Sequence, residues 1–178
     1  MFLKNYYTKI IKQELINKFN HKTIKNLPKL KKITLNFGCK KSEVKSVAAC
    51  LLALELISSK RSKITVSKKP NILLKIRKGD PVGCKITLKK EKMYNFLSRL
   101  LIEILPKFKN FVDLKFFIKK NNFSYKLENP LILLELEKNY YLFNKLPHLN
   151  ITFATTSKNK SELTFLLNAF KFNVIEKQ

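Results

Sequence analysis

Tryptophan is absent from this chain, and glycine and cysteine occur only three times each. Carboxylates are scarce too, with 12 Asp and Glu against 37 Lys and Arg in 178 residues. Each shortage removes an explanation. Cys39, Cys50 and Cys84 are odd in number, scattered, and form no C-x-x-C. With only His21 and His148 to help them, they make no zinc-type ligand set and read as reduced thiols. The few acids are dispersed, and no His/Asp/Ser set stands in a motif, so the chain reads as no enzyme and implies no cofactor. Glu135 and Glu137, two apart on an expected strand, suit pairing with Lys better than catalysis. Neither G-x-x-x-x-G-K-[ST] nor G-x-G-x-x-G follows a strand, which argues against nucleotide binding. The longest apolar run, Val47 to Ile57, is short and interrupted by Glu55, so no membrane span is expected. Met1 to Phe19 alternates Lys with apolar residues, unlike the continuous core of a secretory signal. The first Ser is Ser42 and the first Arg is Arg61, unlike a mitochondrial presequence.

What is present is positive charge on a foldable chain. The net charge is +25, while 45% of residues are apolar, enough for a real core in one domain spanning 1–178. Such self-repulsion works against a compact free protein, and a polyanion held alongside relieves it. Nucleic acid fits, because each Lys set near a phosphate releases a condensed counterion. An anionic membrane surface is the competing partner. Arg61, Arg77 and Arg99 are the only arginines. The surplus of Lys, Asn, Ile, Phe and Tyr is the signature of AT-rich codons, and it points to an organelle genome or a reduced bacterium.

The hydrophobic pattern alternates between two periods. Leu3, Tyr7, Ile10, Ile11, Leu15 and Phe19 fall at helical spacing, as do Met93, Phe96, Leu97, Leu100, Leu101 and Ile104 ahead of Pro106. Val44 to Ile57 predicts a mostly apolar helix with Glu55 on its wet side. Asn159 and Glu162 predict a capping pair opening a last helix through Leu163, Leu166, Leu167 and Phe170. Period two marks strands at 29–38, 63–67, 84–89 and 149–156, with shorter ones expected at 114–118, 123–127 and 131–136. This order predicts an α+β fold: a largely antiparallel sheet with helices packed on one face, the other left open.

Strand parity sorts the open face from the covered one. Ile33, Leu35, Phe37, Ile64, Val66, Ile86, Leu88, Ile151 and Phe153 take the helix side. Thr34, Asn36, Lys63, Thr65, Lys85, Thr87, Thr152 and Thr156 take the other. A half-exposed antiparallel sheet displays such residues in any case, so charge and parity must be read together. Single-strand RNA platforms stack bases on exposed rings. Here Phe37 and Phe153 lie on the apolar parity, so the plate suits the 2′-hydroxyls and phosphates of folded RNA. A second basic element is the protruding loop 68–83, with Lys68, Lys69, Lys75, Arg77 and Lys78 set among Pro70, Gly79, Pro81 and Gly83. Two of the three glycines there predict unusual backbone dihedrals. The residues alone leave a general RNA-binding or chaperone module open beside a dedicated one.

Two blocks carry a resemblance. Pro28-Lys-Leu-Lys-Lys-Ile-Thr-Leu-Asn-Phe-Gly38 and Lys75-Ile-Arg-Lys-Gly-Asp-Pro-Val-Gly-Cys-Lys-Ile-Thr-Leu88 resemble the best-marked segments of the family of large-subunit ribosomal protein five. Tyr6-Tyr7, Asn122-Phe-Ser-Tyr125, Ile151-Thr-Phe-Ala-Thr-Thr156 and Ala169-Phe170 follow in the family's order, over residues 5 to 174. The resemblance implies a sheet backed by helices, its open face on 5S rRNA in the central protuberance among large-subunit rRNA and other proteins of that region. The family's RNA-contacting asparagine and threonine match Asn36 and Thr87. A family glutamine is replaced by Lys60, which implies a phosphate contact. The loop resembles a finger extended to P-site tRNA, and the family also touches a protein of the small-subunit head. The finger's small residues and aromatic are replaced by Asn71, Ile72, Leu73 and Leu74, a Gly-rich stretch by Phe116 to Asn121, and a Phe-Pro-Glu by Leu134-Glu135-Leu136. With the codon bias, the expected setting is a ribosome of the mitochondrial matrix, with the plastid or bacterial cytoplasm as the alternative.

Overall fold

A computed structural model describes residues 2–172 except 20, 22, 40–42, 108–115 and 120. Its strands are β1 (Leu30–Gly38), β2 (Lys63–Val66), β3 (Pro81–Leu88), β4 (Phe116–Lys119), β5 (Asn122–Leu127) and β6 (Leu149–Thr155). They are hydrogen-bonded in the order β2-β3-β1-β6-β5-β4, with the β2–β3 and β4–β5 pairs antiparallel. The helices are α1 (Phe2–Tyr6), α2 (Lys12–Lys18), α3 (Val44–Ser58), α4 (Lys90–Arg99), α5 (Leu134–Glu137), α6 (Tyr140–Phe143) and α7 (Lys160–Ala169). The fold is α+β, as the hydrophobic periods predict. Among the described residues no helix is long and apolar enough to cross a membrane. The chain divides into two compact units, one of Met1–Ile33, Leu88–Tyr125 and Thr152–Gln178, the other of Thr34–Thr87 and Lys126–Ile151.

In the first unit a π-turn, Tyr7–Ile11, joins α1 to α2. It shifts the phase of the apolar stripe, so Tyr7, Ile11 and Leu15 are buried at four-residue spacing while Ile10 turns outward. The Tyr7 hydroxyl donates to the Pro28 carbonyl at 3.0 Å, and its ring stacks on Phe170. Met93, Phe96, Leu97, Leu100 and Ile104 are buried, as their spacing predicts, whereas Leu101 of the same stripe is half-buried. Phe123 of β5 stacks on Phe153 of β6 with centroids 4.2 Å apart, and Phe172 meets both rings edge-on. The capping pair forms only in part. Asn159 makes no side-chain bond to the first turn of α7, whereas the Glu162 carboxylate accepts the Lys158 N–H at 3.0 Å. The expected strand at 114–118 is observed as β4, with 114–115 outside the described residues.

In the second unit α3 buries Val47, Cys50, Ala53, Leu54 and Ile57, and the Cys84 thiol of β3 donates to the Val47 carbonyl at 3.5 Å. This puts α3 against the apolar parity of β3. The strand expected at 131–136 is instead a 3-10 turn, Pro130–Ile132, followed by α5. Asn129 caps the turn through the Leu131 N–H, and Pro130 occupies the first turn, where its missing N–H costs nothing. Pro130, Leu133 and Leu136 are then buried at a spacing of three, which is helical, so Glu135 and Glu137 share no strand face. A second departure concerns β2. Ile64 and Val66 lie on the apolar parity, yet they are 50% and 57% exposed. β2 is a four-residue strand at the sheet's edge, and an edge strand has a neighbour on one side only.

Candidate nucleic-acid interface

Thr34, Asn36, Lys60, Lys63, Thr65, Lys85 and Thr87, with the basic loop, lie in the second unit. Along β1 burial alternates as parity requires: Leu35 and Phe37 are fully buried, and Thr34 and Asn36 are half-buried. In β3, Cys84, Ile86 and Leu88 are buried, Lys85 is exposed and Thr87 is half-buried. The β2–β3 register sets Lys63 opposite Lys85, Ile64 opposite Cys84 and Thr65 opposite Gly83. Directly opposed residues project to the same side, so Lys63, Thr65 and Lys85 share a face, turned away from the Cys84 side that α3 covers. Among the described residues no carboxylate lies within ion-pair distance of Lys63 or Lys85. Like charges set directly opposite are destabilising, and an anion placed over both removes the conflict.

Gly83 lies on this face without a side chain, and the reason is steric. A Cβ there would run into the Phe37 carbonyl oxygen and stand 3.2 Å from the Thr65 hydroxyl. By its composition Gly83 is expected in the loop 68–83. It lies inside β3, which already begins at Pro81.

Lys60 reaches this face from the helix end. α3 stops at Ser59, whose φ of 49° is left-handed and whose N–H returns to the Glu55 carbonyl at 2.8 Å. The Glu55 carboxylate accepts the Ser62 N–H at 3.0 Å and lies 3.3 Å from its hydroxyl. The turn so fixed lets the Lys60 ammonium donate to the Thr87 carbonyl at 2.8 Å. Lys60 and Thr87 are thereby brought together. An ammonium has three donors, so further N–H groups remain for a phosphate. Glu55 and Ser62 are positioning residues that the sequence reading missed. The available signal was a lone carboxylate in an otherwise apolar helix.

The basic loop is an ordered two-stranded finger. Ser67 and Asp80 pair through Ser67 N–H to Asp80 carbonyl at 2.9 Å, and Gly79 N–H returns to the Ser67 carbonyl at 3.0 Å. Nearer the tip, Asn71 and Ile76 exchange both backbone bonds at 2.8 and 3.0 Å. Gly79 has φ 96°, the unusual dihedral its type predicts, and Lys75 has φ 52°. The Asp80 carboxylate accepts the Arg77 N–H at 2.8 Å, a second positioning contact that was not foreseen. Lys68, Lys69, Lys75, Arg77 and Lys78 are all exposed, and Ile72 and Leu73 stand more than nine-tenths exposed at the tip. Ile76 alone folds inward.

In the first unit the polar parity of β6 behaves differently. Thr152 and Ala154 are half-buried, but the Thr156 hydroxyl accepts the Lys29 N–H at 3.0 Å while its own N–H donates to the Lys29 carbonyl. Thr156 is therefore engaged in holding the backbone.

Residues 81–174 match the family model that describes the C-terminus of the ribosomal L5 protein family. Over 174 residues the chain is 38% identical to the large ribosomal subunit protein uL5 of Nitrosomonas europaea, covering 96% of both chains. It is 38% identical over 173 residues to the large ribosomal subunit protein uL5m of Reclinomonas americana, covering 95% of both. The uL5 of Nitrosomonas eutropha is 40% identical over 174 residues, with 96% of both chains covered. With the polar face and finger borne on a chain so fully aligned to these relatives, this protein belongs to the ribosomal L5 family of the large ribosomal subunit.

Proposed function

We propose that this structural constituent of the large ribosomal subunit clasps 5S rRNA in the central protuberance, using Thr34, Asn36, Lys60, Lys63, Thr65, Lys85 and Thr87. The observation that carries the reading is the direct opposition of Lys63 and Lys85 on a face otherwise made of short hydrogen-bonding side chains. Such a face is matched by closely spaced phosphates and 2′-hydroxyls, and among its described residues it offers no ring for a base to stack on. Phe37 and Phe153 are wholly buried, which supports folded RNA over single strands. The finger, through Lys68, Lys69, Lys75, Arg77 and Lys78, extends to P-site tRNA. The same particle brings the chain against large-subunit rRNA, other central-protuberance proteins and a protein of the small-subunit head, with residues 1–178 acting as one ribosomal-protein domain.

The AT-shaped composition supports a ribosome of the mitochondrial matrix. Bacterial relatives at 38% and 40% and a mitochondrial one at 38% do not separate the two settings, so the composition carries that part alone. Competition binding between a 5S rRNA transcript and bulk duplex RNA at moderate salt tests the function. A clear preference for 5S rRNA is expected. Equal affinity would leave a general basic RNA-binding chaperone instead. Co-sedimentation of the chain with the large subunit in organelle lysate tests the location.

A further inference from the structure

The three cysteines are far apart in sequence, yet the fold gathers them between the end of β1, the middle of α3 and β3. The Cys39 and Cys50 sulfurs stand 3.7 Å apart, in van der Waals contact, and all three thiols are free. Cys39 follows β1 directly and is held there by its N–H, which donates to the Val82 carbonyl at 2.9 Å. It is partly exposed, whereas Cys50 and Cys84 are fully buried. A peroxide can therefore reach one thiol of the cluster, and a second thiol waits behind it.

We propose that Cys39 and Cys50 are an oxidative modification site, closing to a reversible disulfide when the protein meets a peroxide. The sulfurs need to approach by only roughly 1.7 Å to reach the bonded distance of about 2.0 Å. In the first step the Cys39 sulfur takes one oxygen from hydrogen peroxide. This gives a sulfenic acid at Cys39 and one water, with the sulfur oxidised and the peroxide O–O bond broken. In the second, the Cys50 sulfur attacks the Cys39 sulfur and the S–O bond breaks. The hydroxide that leaves takes the Cys50 proton as a second water, and the S–S bond remains.

Cys84 is the bystander. Its thiol donates to the Val47 carbonyl, and burial, with Cys39 nearby, pushes it up to about 11. Burial raises the Cys50 thiol as well, followed by the influence of Cys39 and then Cys84. The Cys50 thiol thus carries its proton into the second step, where the departing hydroxide takes it. The bond would tie the strand that carries Asn36 to the inner side of α3, across the connection between residues 39 and 50.

The full-length chain, reduced and then treated with hydrogen peroxide at neutral pH, is alkylated, digested and mapped by mass spectrometry. A Cys39–Cys50 linked peptide that has lost two hydrogens and is released by dithiothreitol is expected. The link should vanish in Cys39→Ser and in Cys50→Ser and persist in Cys84→Ala. Mapping of the unmutated chain decides the matter even if a variant folds poorly. A bond to Cys84, a link between two copies through Cys39, over-oxidation of Cys39 without a link, or no oxidation would each overturn the proposal.

Discussion

Lys63 and Lys85 stand directly opposite each other across the antiparallel β2–β3 pair, both exposed. An isolated domain gains nothing from that arrangement. Lys85→Glu converts it into a cross-strand ion pair, and the free protein should gain roughly 0.2–1 kcal/mol. Urea unfolding at low and high salt measures this gain, which should shrink as screening increases. The same variant should lose affinity for 5S rRNA. A substitution that stabilises the protein while weakening RNA binding marks a site kept for its ligand. A loss of stability would show that the two ammonium groups do not oppose one another.

Asn36 tests the hydrogen-bonding half of the face. Its side chain is half-buried on β1 between fully buried Leu35 and Phe37. Asn36→Ala removes a hydrogen bond and no charge. Binding of 5S rRNA should weaken by about 0.5–1.5 kcal/mol with the salt dependence unchanged. Lys63→Gln should act the other way, lowering the slope of log K against log salt by roughly 0.7–0.9. Filter binding over a range of potassium concentrations separates the two. A changed slope for Asn36→Ala would place that residue outside direct contact.

The finger should be separable from the face. Lys75 and Arg77 lie on a hairpin braced by its own Ser67–Asp80 and Asn71–Ile76 bonds. Charge reversal at both, Lys75→Glu with Arg77→Glu, should leave 5S binding intact and weaken tRNA retention on assembled ribosomes. Loss of 5S affinity in this variant would show that the finger and the sheet face serve one ligand.

Parity made most of this legible in the sequence. In β1, β3 and β6 alternate residues are buried as predicted, because a helix covers one side and the pleat does the sorting. The same rule misleads at β2, where Ile64 and Val66 have the right parity but lie on an edge that parity does not reveal. It misleads again at 131–136, where a leucine-rich run fits both periods and Asn129-Pro130 decides for a turn. Contacts that depend on chain reversal were not legible. Glu55 holding Ser62, Asp80 holding Arg77 and Cys39 meeting Cys50 join positions that no local period connects.

Gly83 is predicted to tolerate no side chain at all. Gly83→Ala sets a methyl group against the Phe37 carbonyl oxygen, and backbone cannot swing aside as a side chain could. The cost should be about 1–3 kcal/mol in urea unfolding, typical of overpacking. Gly79→Ala meets open space but keeps a φ of 96°, so its cost should come from backbone strain alone. If Gly83→Ala were neutral, β1 and β3 would have to sit further apart than they do.

Tyr7 should make stability fall at alkaline pH. Burial, and then the nearby Tyr94, pushes its phenol from the ordinary value near 10 up to about 12. Its proton is also the one donated to the Pro28 carbonyl. In the folded state the phenol holds that proton to a higher pH than in the unfolded chain. Its contribution is therefore complete below about pH 10 and is lost progressively between about pH 10 and 12. Tyr7→Phe should cost about 0.5–1.5 kcal/mol at neutral pH by removing the bond, and should make the alkaline decline shallower. Burial raises Tyr94 as well, so part of the decline should persist. The many lysines titrate in the same range, but they are common to both proteins and cancel in the difference. Urea midpoints for the two proteins from about pH 8 upward give that difference directly. The gap between them should narrow above about pH 10, and a constant gap would mean that Tyr7 ionises no later in the fold than in the unfolded chain.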